Sequence, residues 1–131
     1  MSIPFPSLGD AAELRPHPMD RKHLWVFASG RTDDGIVMFN ITTWKKNHSD
    51  ETCIVTSADH GYIDHRSVIE YRRGILLTEE KWERILENAD CEMKTRASKA
   101  FLRKIQLGAL DPKGRTAGVL QDMVRPFLVT L

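Results

Sequence analysis

The sequence predicts an α+β fold, strands first and helices after, on two observations. Between residues 23 and 77 the apolar residues fall in short β-branched and aromatic runs separated by turn formers. From Thr78 onward they recur at helical spacing instead. This order gives one domain with an extended lead-in (1–22), a small bent antiparallel sheet or partly open barrel (23–77) and an extension of about three α-helices (78–131).

Four of the six prolines lie in residues 1–22, including Pro16-His17-Pro18. Proline fixes φ and removes an amide donor, so this segment reads as neither helix nor central strand. His23 to Ser29 and Ile36 to Trp44 read as two strands of a hairpin, joined by the turn formers of Gly30 to Gly35. In the second strand Phe39 and Ile41 share one face and Asn40 and Thr42 the other, the pattern of a sheet with one wet face. Lys45 to Asp50, with His48, is a polar loop; Glu51 to Thr56 reads as a third strand and Val68 to Leu77 as a fourth, bulged at Gly74. Thr78 is the expected cap of a helix that opens on Glu79-Glu80 and places Trp82, Ile85, Leu86 and Ala89 on one face. A second helix is expected from near Thr95 to Leu107, with Ala97, Phe101, Leu102 and Ile105 inward and Gly108 as its stop. A third, capped by Thr116, should turn Val119, Leu120, Met123 and Val124 inward and end at Pro126.

Composition is that of an ordinary soluble protein, 41% hydrophobic and 28% charged. No apolar run reaches the ~18 residues of a membrane span, and the N-terminus lacks the features of a signal peptide, so a cytoplasmic location is expected. Cys53 and Cys91 are too few for a disulfide framework and read as reduced thiols. The net charge of +1 hides a split: residues 1–90 carry −4 and residues 91–131 carry +5. Lys94, Arg96, Lys99, Arg103 and Lys104 make the second helix basic, suited to nucleic acid, an acidic partner or solvent.

Proton-transfer and anion-binding groups are densest between Asp59 and Arg73. Those fifteen residues hold two of the five histidines, two aspartates, three arginines and both tyrosines. Three readings compete. Asp59, His60, Asp64 and His65 are legitimate metal ligands, although their spacing matches no established metal motif. Metal-free cleavage of RNA through the 2′-hydroxyl would use His60 or His65 as acid or base, Asp64 to orient it and Arg66 or Arg72 as the cation. Tyr62 and Tyr71 would then stack on unpaired bases, while Lys45 and Lys46 steer phosphate. The plain reading is structural, with the aspartates closing turns and Tyr71 facing the core. The second reading makes His60→Ala and Arg66→Ala expected to abolish activity at unchanged thermal stability.

The runs Leu24 to Phe27, Ile36 to Trp44 and Glu51 to Val55, followed by Asp59-His60 through His65 and by Tyr71-Arg72, resemble the PemK/MazF-like group over residues 23–88. The resemblance lies in strand order and texture. It implies an SH3-like antiparallel β-barrel and the activity of a metal-independent endoribonuclease toxin without cofactor. It also implies single-stranded RNA and a small antitoxin protein as partners, and is compatible with a homodimer. The alternative is a non-catalytic protein- or nucleic-acid-binding module that keeps only the barrel. The group's Gly-rich turn with Glu and an Arg-Pro pair is absent between Leu24 and Gly35, so no catalytic residue transfers by position. His60, Asp64, His65 and Arg66 are therefore assigned on chemistry alone.

Overall fold

A computed structural model describes residues 3–47, 49–88 and 90–131. The loop residue His48 and the helix-face residue Ala89 lie outside them. In chain order the elements are β1 (Ala11–Leu14), β2 (His23–Phe27), β3 (Ile36–Thr43), β4 (Ile54–Val55), β5 (Ser67–Ile69), a 3-10 turn (Tyr71–Arg73), β6 (Ile75–Leu77), α1 (Glu79–Glu87), β7 (Cys91–Lys94), α2 (Lys99–Ala109), α3 (Gly118–Val124) and a closing 3-10 turn (Arg125–Phe127).

Among the described residues seven strands form one antiparallel sheet, in the order β4-β5-β3-β2-β1-β7, with β6 also paired to β3. The path has two free ends, so the sheet is open where an SH3-like barrel would close it. The β2–β3 hairpin forms as expected, with Trp25 opposite Asn40 and Phe27 opposite Met38. Gly35 turns it at φ +125°, against the Leu77 carbonyl, where a β-carbon would collide.

β1 corrects the reading of residues 1–22. It lies inside the sheet between β2 and β7, with Ala11, Ala12 and Leu14 fully buried. The prolines bracket this strand and leave its four amides free to pair, so their density along the segment misleads. The expected fourth strand is also corrected. β5 and β6 both pair with β3, at opposite ends of it, and the 3-10 turn at Tyr71–Arg73 carries the chain between them. β3 can hold both partners because eight residues extend for about 26 Å, whereas each partner has three residues.

The expected wet face of β3 is confined to its end: helices pack on both sides of the sheet and the strand is buried from Ile36 to Ile41, with Thr42 half-buried and Thr43 exposed. Val37, Phe39 and Ile41 join Phe101, Leu102, Ile105, Leu120 and Val124 of α2 and α3 in one core. Ile36 and Met38 join Trp25, Phe27, Leu77 and the α1 residues Trp82 and Ile85 in the other. Asn40 sits inside the sheet because its amide donates to Glu70 Oε1 at 2.6 Å, which satisfies a buried polar group.

The helix starts follow their caps. The Thr78 hydroxyl accepts from the Lys81 amide at 3.2 Å and opens α1 as expected. α2 starts at Lys99, capped by Ser98, because the preceding residues are drawn into β7 against β1. Cys91 therefore stands in a strand. Gly108 is inside α2, because the Tyr71 ring occupies the space a β-carbon would need. Thr116 does not cap α3: Ala117 precedes it without a side-chain bond, and Val119 is exposed.

Candidate functional site

The structure pulls the dense stretch apart. Its first histidine faces inward: His60 is buried, its Nε2–H donates to the Thr95 carbonyl at 2.6 Å and its Nδ1 accepts from the Tyr62 amide at 3.0 Å. Both ring nitrogens are thus held by backbone groups, and the ring packs 6.0 Å from Phe101. Asp59 is engaged as well, accepting from the Thr56 amide at 2.9 Å and pairing with Lys104 of α2 at 3.2 Å. These two residues bind the loop to the α2 side of the molecule. Among the described residues no three His, Cys, Asp or Glu side chains converge as metal ligands, so Asp59, His60, Asp64 and His65 do not form a common site.

Asp64 and His65 face outward together. His65 Nδ1 is bonded to Asp64 Oδ1, and His65 Nε2 lies 2.7 Å from Thr43 Oγ1 at the end of β3. With the carboxylate accepting from Nδ1–H, Nε2 keeps its lone pair for a hydroxyl, the protonation a general base requires. Arg66 points elsewhere: it stacks on Trp44 at 4.6 Å and reaches Glu51 at 3.9 Å. Tyr62 is exposed, but its hydroxyl donates to Glu13. Burial and that carboxylate push its phenol up to about 12. The base-stacking role expected of Tyr71 is corrected: the ring is fully buried and its hydroxyl donates to the Ile105 carbonyl at 2.8 Å.

Six exposed cations collect at one end of the sheet. α1, nine residues and about 13 Å long, covers only part of the β3 face. Beyond it, around Asn40 to Thr43, three clefts adjoin. One of about 250 Å³ is lined by Lys45, Arg72, Arg73 and Arg115, together with Thr42, Thr43, Asp50 and Glu70. A second of about 400 Å³ shares Arg73 with it and adds Arg21, His23 and Trp25. A third, also of about 400 Å³, shares Thr42, Thr43 and Lys45 with the first and Arg21 and His23 with the second, and holds Asp64 and His65. Among the described residues Arg21, Lys22, Lys45, Arg72, Arg73 and Arg115 make no ion pair. The two acids of the first cleft are outnumbered by its four cations; Glu70 accepts from Asn40, Asp50 Oδ1 accepts from the Thr52 amide and hydroxyl, and Asp50 Oδ2 is buried without a partner among the described residues.

Four of the five cations expected on the second helix contrast with these, Lys99 being the exception; Lys94, paired with Glu92, and Arg96 stand before α2 begins. Arg96 pairs with Asp10, Arg103 donates to the Val129 carbonyl at 2.6 Å and Lys104 pairs with Asp59. They hold the α2 side of the molecule together. Of the assigned nucleic-acid residues, Lys45 and Arg72 line the basic end, while Lys46 is exposed at a neighbouring turn and lines none of the three clefts. Sequence reasoning missed Thr43, Arg21, His23, Arg73 and Arg115. Arg73 is the one with a legible signal, since it adjoins Arg72; the others stand on three separate segments that meet only in the fold.

Neither thiol is poised as a nucleophile. Burial pushes Cys53 up, and it pushes Cys91 up to about 11. Compared with protein-family profiles, curated proteins and solved structures, the chain finds no match.

Proposed function

We propose that this protein binds single-stranded RNA across the basic open end of its sheet, with His65 as the acid–base group of a metal-independent cleavage. The observation that carries the reading is the contiguous surface of six cations without ion-pair partners. Unpaired guanidinium and ammonium groups on adjoining clefts attract a polyanion and match phosphate oxygens in geometry. Four of the six are arginines, whose planar forks suit phosphodiesters.

For cleavage, His65 Nε2 would take the proton of a 2′-hydroxyl as its oxygen attacks phosphorus. The leaving 5′-oxygen would be protonated by a second group, for which His23 lines the same cleft. Lys45 and Arg21 would offset the charge that grows on the phosphorane. The resemblance of residues 23–88 to PemK/MazF-like toxins points to the same substrate class and suggests a small antitoxin protein as partner. It does not extend to a closed barrel.

Binding without cleavage is the second reading, favoured by exposure: the side chains of Asp64 and His65 are 85% and 56% accessible. A site this open excludes little water, which weakens electrostatic stabilisation of the reacting phosphate.

The test is fluorescence anisotropy with a labelled single-stranded oligoribonucleotide over a range of salt concentrations. Each phosphate contact contributes a slope of about −0.7 in log K against log salt. Arg72→Gln and Arg115→Gln should each lower the slope by roughly that amount and weaken binding across sequences. Absence of salt-dependent binding in the wild-type protein would sink both readings. Gel analysis of the same samples decides between them.

A further inference from the structure

The first of the three clefts holds more charge than one phosphodiester needs. Lys45, Arg72, Arg73 and Arg115 line it against two acids, Asp50 and Glu70, a surplus of two positive charges. A phosphodiester carries one negative charge, whereas a phosphomonoester carries about 1.5–2 at pH 7. None of the four cations makes an ion pair among the described residues, and like charges lining one small cleft repel until an anion enters.

These cations stand on anchored backbone. Arg72 and Arg73 follow Tyr71, which is fully buried, and the Arg73 amide donates to the Glu70 carbonyl at 3.1 Å. The Lys45 amide donates to Ser49 Oγ at 2.6 Å, and Arg115 precedes Thr116, which is 8% exposed. Separate segments of the chain are thus held at the cleft before a ligand arrives, which lowers the ordering cost of binding. At about 250 Å³ the cleft is smaller than the roughly 300–1,000 Å³ of drug-sized ligand sites. Its apolar lining residues, Val68 and Tyr71, are buried. It suits a phosphate group without the base attached to it.

We infer that this cleft receives a phosphomonoester dianion, either the terminal phosphate of a bound strand or free phosphate. The first source rests on the RNA reading above. It fits the continuity of the surface, because the cleft that holds His65 shares Thr42, Thr43 and Lys45 with this one.

The full-length protein is titrated by fluorescence anisotropy with an internally labelled oligoribonucleotide carrying a 5′-phosphate, a 3′-phosphate or neither. Inorganic phosphate is titrated calorimetrically. The two phosphorylated strands have equal charge, so a difference between them separates an end-binding cleft from general attraction. One of them should bind roughly tenfold or more tightly than the other two strands, the factor that hydrogen bonds to a charged group supply. Arg115→Gln should remove most of that advantage at an unchanged melting temperature. Arg21→Gln, which lines the other two clefts and not this one, should weaken all three strands by the same factor. Inorganic phosphate that binds wild type but not Arg115→Gln, with no preference among strands, identifies free phosphate as the source. An advantage that survives Arg115→Gln overturns the inference. So does the absence of end preference together with the absence of phosphate binding. Salt-dependent binding of the unphosphorylated strand without either leaves the RNA reading standing. Phosphate binding lost in Arg115→Gln, without strand binding, does the reverse.

Discussion

Thr43 Oγ1 lies 2.7 Å from Nε2 of His65, whose other nitrogen is bonded to Asp64. The three residues form a carboxylate–imidazole–hydroxyl chain that runs from the loop before β5 onto the last residue of β3. If the chain acts on RNA, His65→Ala should lower cleavage by about 10²–10⁴, the usual range for a general base. Its melting temperature should hardly move, because an exposed pair contributes only ~0–1 kcal/mol. Thr43→Val should cost much less, since the hydroxyl then only parks the ring. Product gels and thermal scans of both variants check the split.

His60 should behave in the opposite way. Its removal strands the Thr95 carbonyl and the Tyr62 amide, and takes a buried ring from beside Phe101. His60→Ala should therefore destabilise by about 2–3 kcal/mol. Arg66→Ala should stay within about 1 kcal/mol, because its ion pair and its stacking on Trp44 are exposed. Denaturant titration separates the two. Equal midpoints would reject the structural assignment of His60.

Tyr71 and Gly108 form a close pair whose energies should not add. A β-carbon on Gly108 would meet the Tyr71 phenol, so Gly108→Ala should cost about 1–3 kcal/mol by overpacking. Tyr71→Phe gives up the hydroxyl that donates to the Ile105 carbonyl and should cost about 1 kcal/mol. The double variant should lose less than the two single losses together, because removing the hydroxyl makes room for the methyl.

Cys91 gives a pH dependence with a definite sign. Burial raises its folded-state value to about 11 from the ordinary 9.0, so folding favours the neutral thiol. Its contribution is fully present below pH 9 and is lost as pH rises through 11. The melting temperature of wild type should therefore fall relative to Cys91→Ser between those values. At pH 8 native Cys91 should also alkylate about a hundredfold more slowly than in the unfolded chain, following its thiolate fraction.

Parts of this structure were legible where local chemistry and tertiary packing agree. The hairpin of Leu24–Phe27 with Ile36–Thr43, the Thr78 cap and the inward Trp82, Ile85, Phe101, Leu102 and Ile105 were all readable from pattern. β1 was not, because four small or plain residues between prolines carry no strand signal; their partners on both sides make the strand. The break at Tyr71–Arg73 was hidden by an apolar run that looks continuous until β3 is seen to pair with both halves. In the candidate site, Asp64 was readable as a carboxylate that orients His60 or His65, and the structure bonds it to His65. The opposite orientation of His60 was not, since two residues of one loop have the same local sequence environment.

By itself the sequence determined the class of the protein, the hairpin, the helix that follows Thr78 and a stretch rich in proton-transfer groups. It did so because hydrophobic period, turn chemistry and caps act over a few residues. Only the tertiary structure decided which of those groups face solvent and which cations remain unpaired. Arg21, Lys45, Arg73 and Arg115 come from separate segments, and whether each meets an acid or its neighbouring cations depends on how the chain packs. Arg96, Arg103 and Lys104 are consumed by Asp10, Val129 and Asp59, while the cations at the open end of the sheet are not. Charge composition is additive along a chain; pairing is a property of the fold.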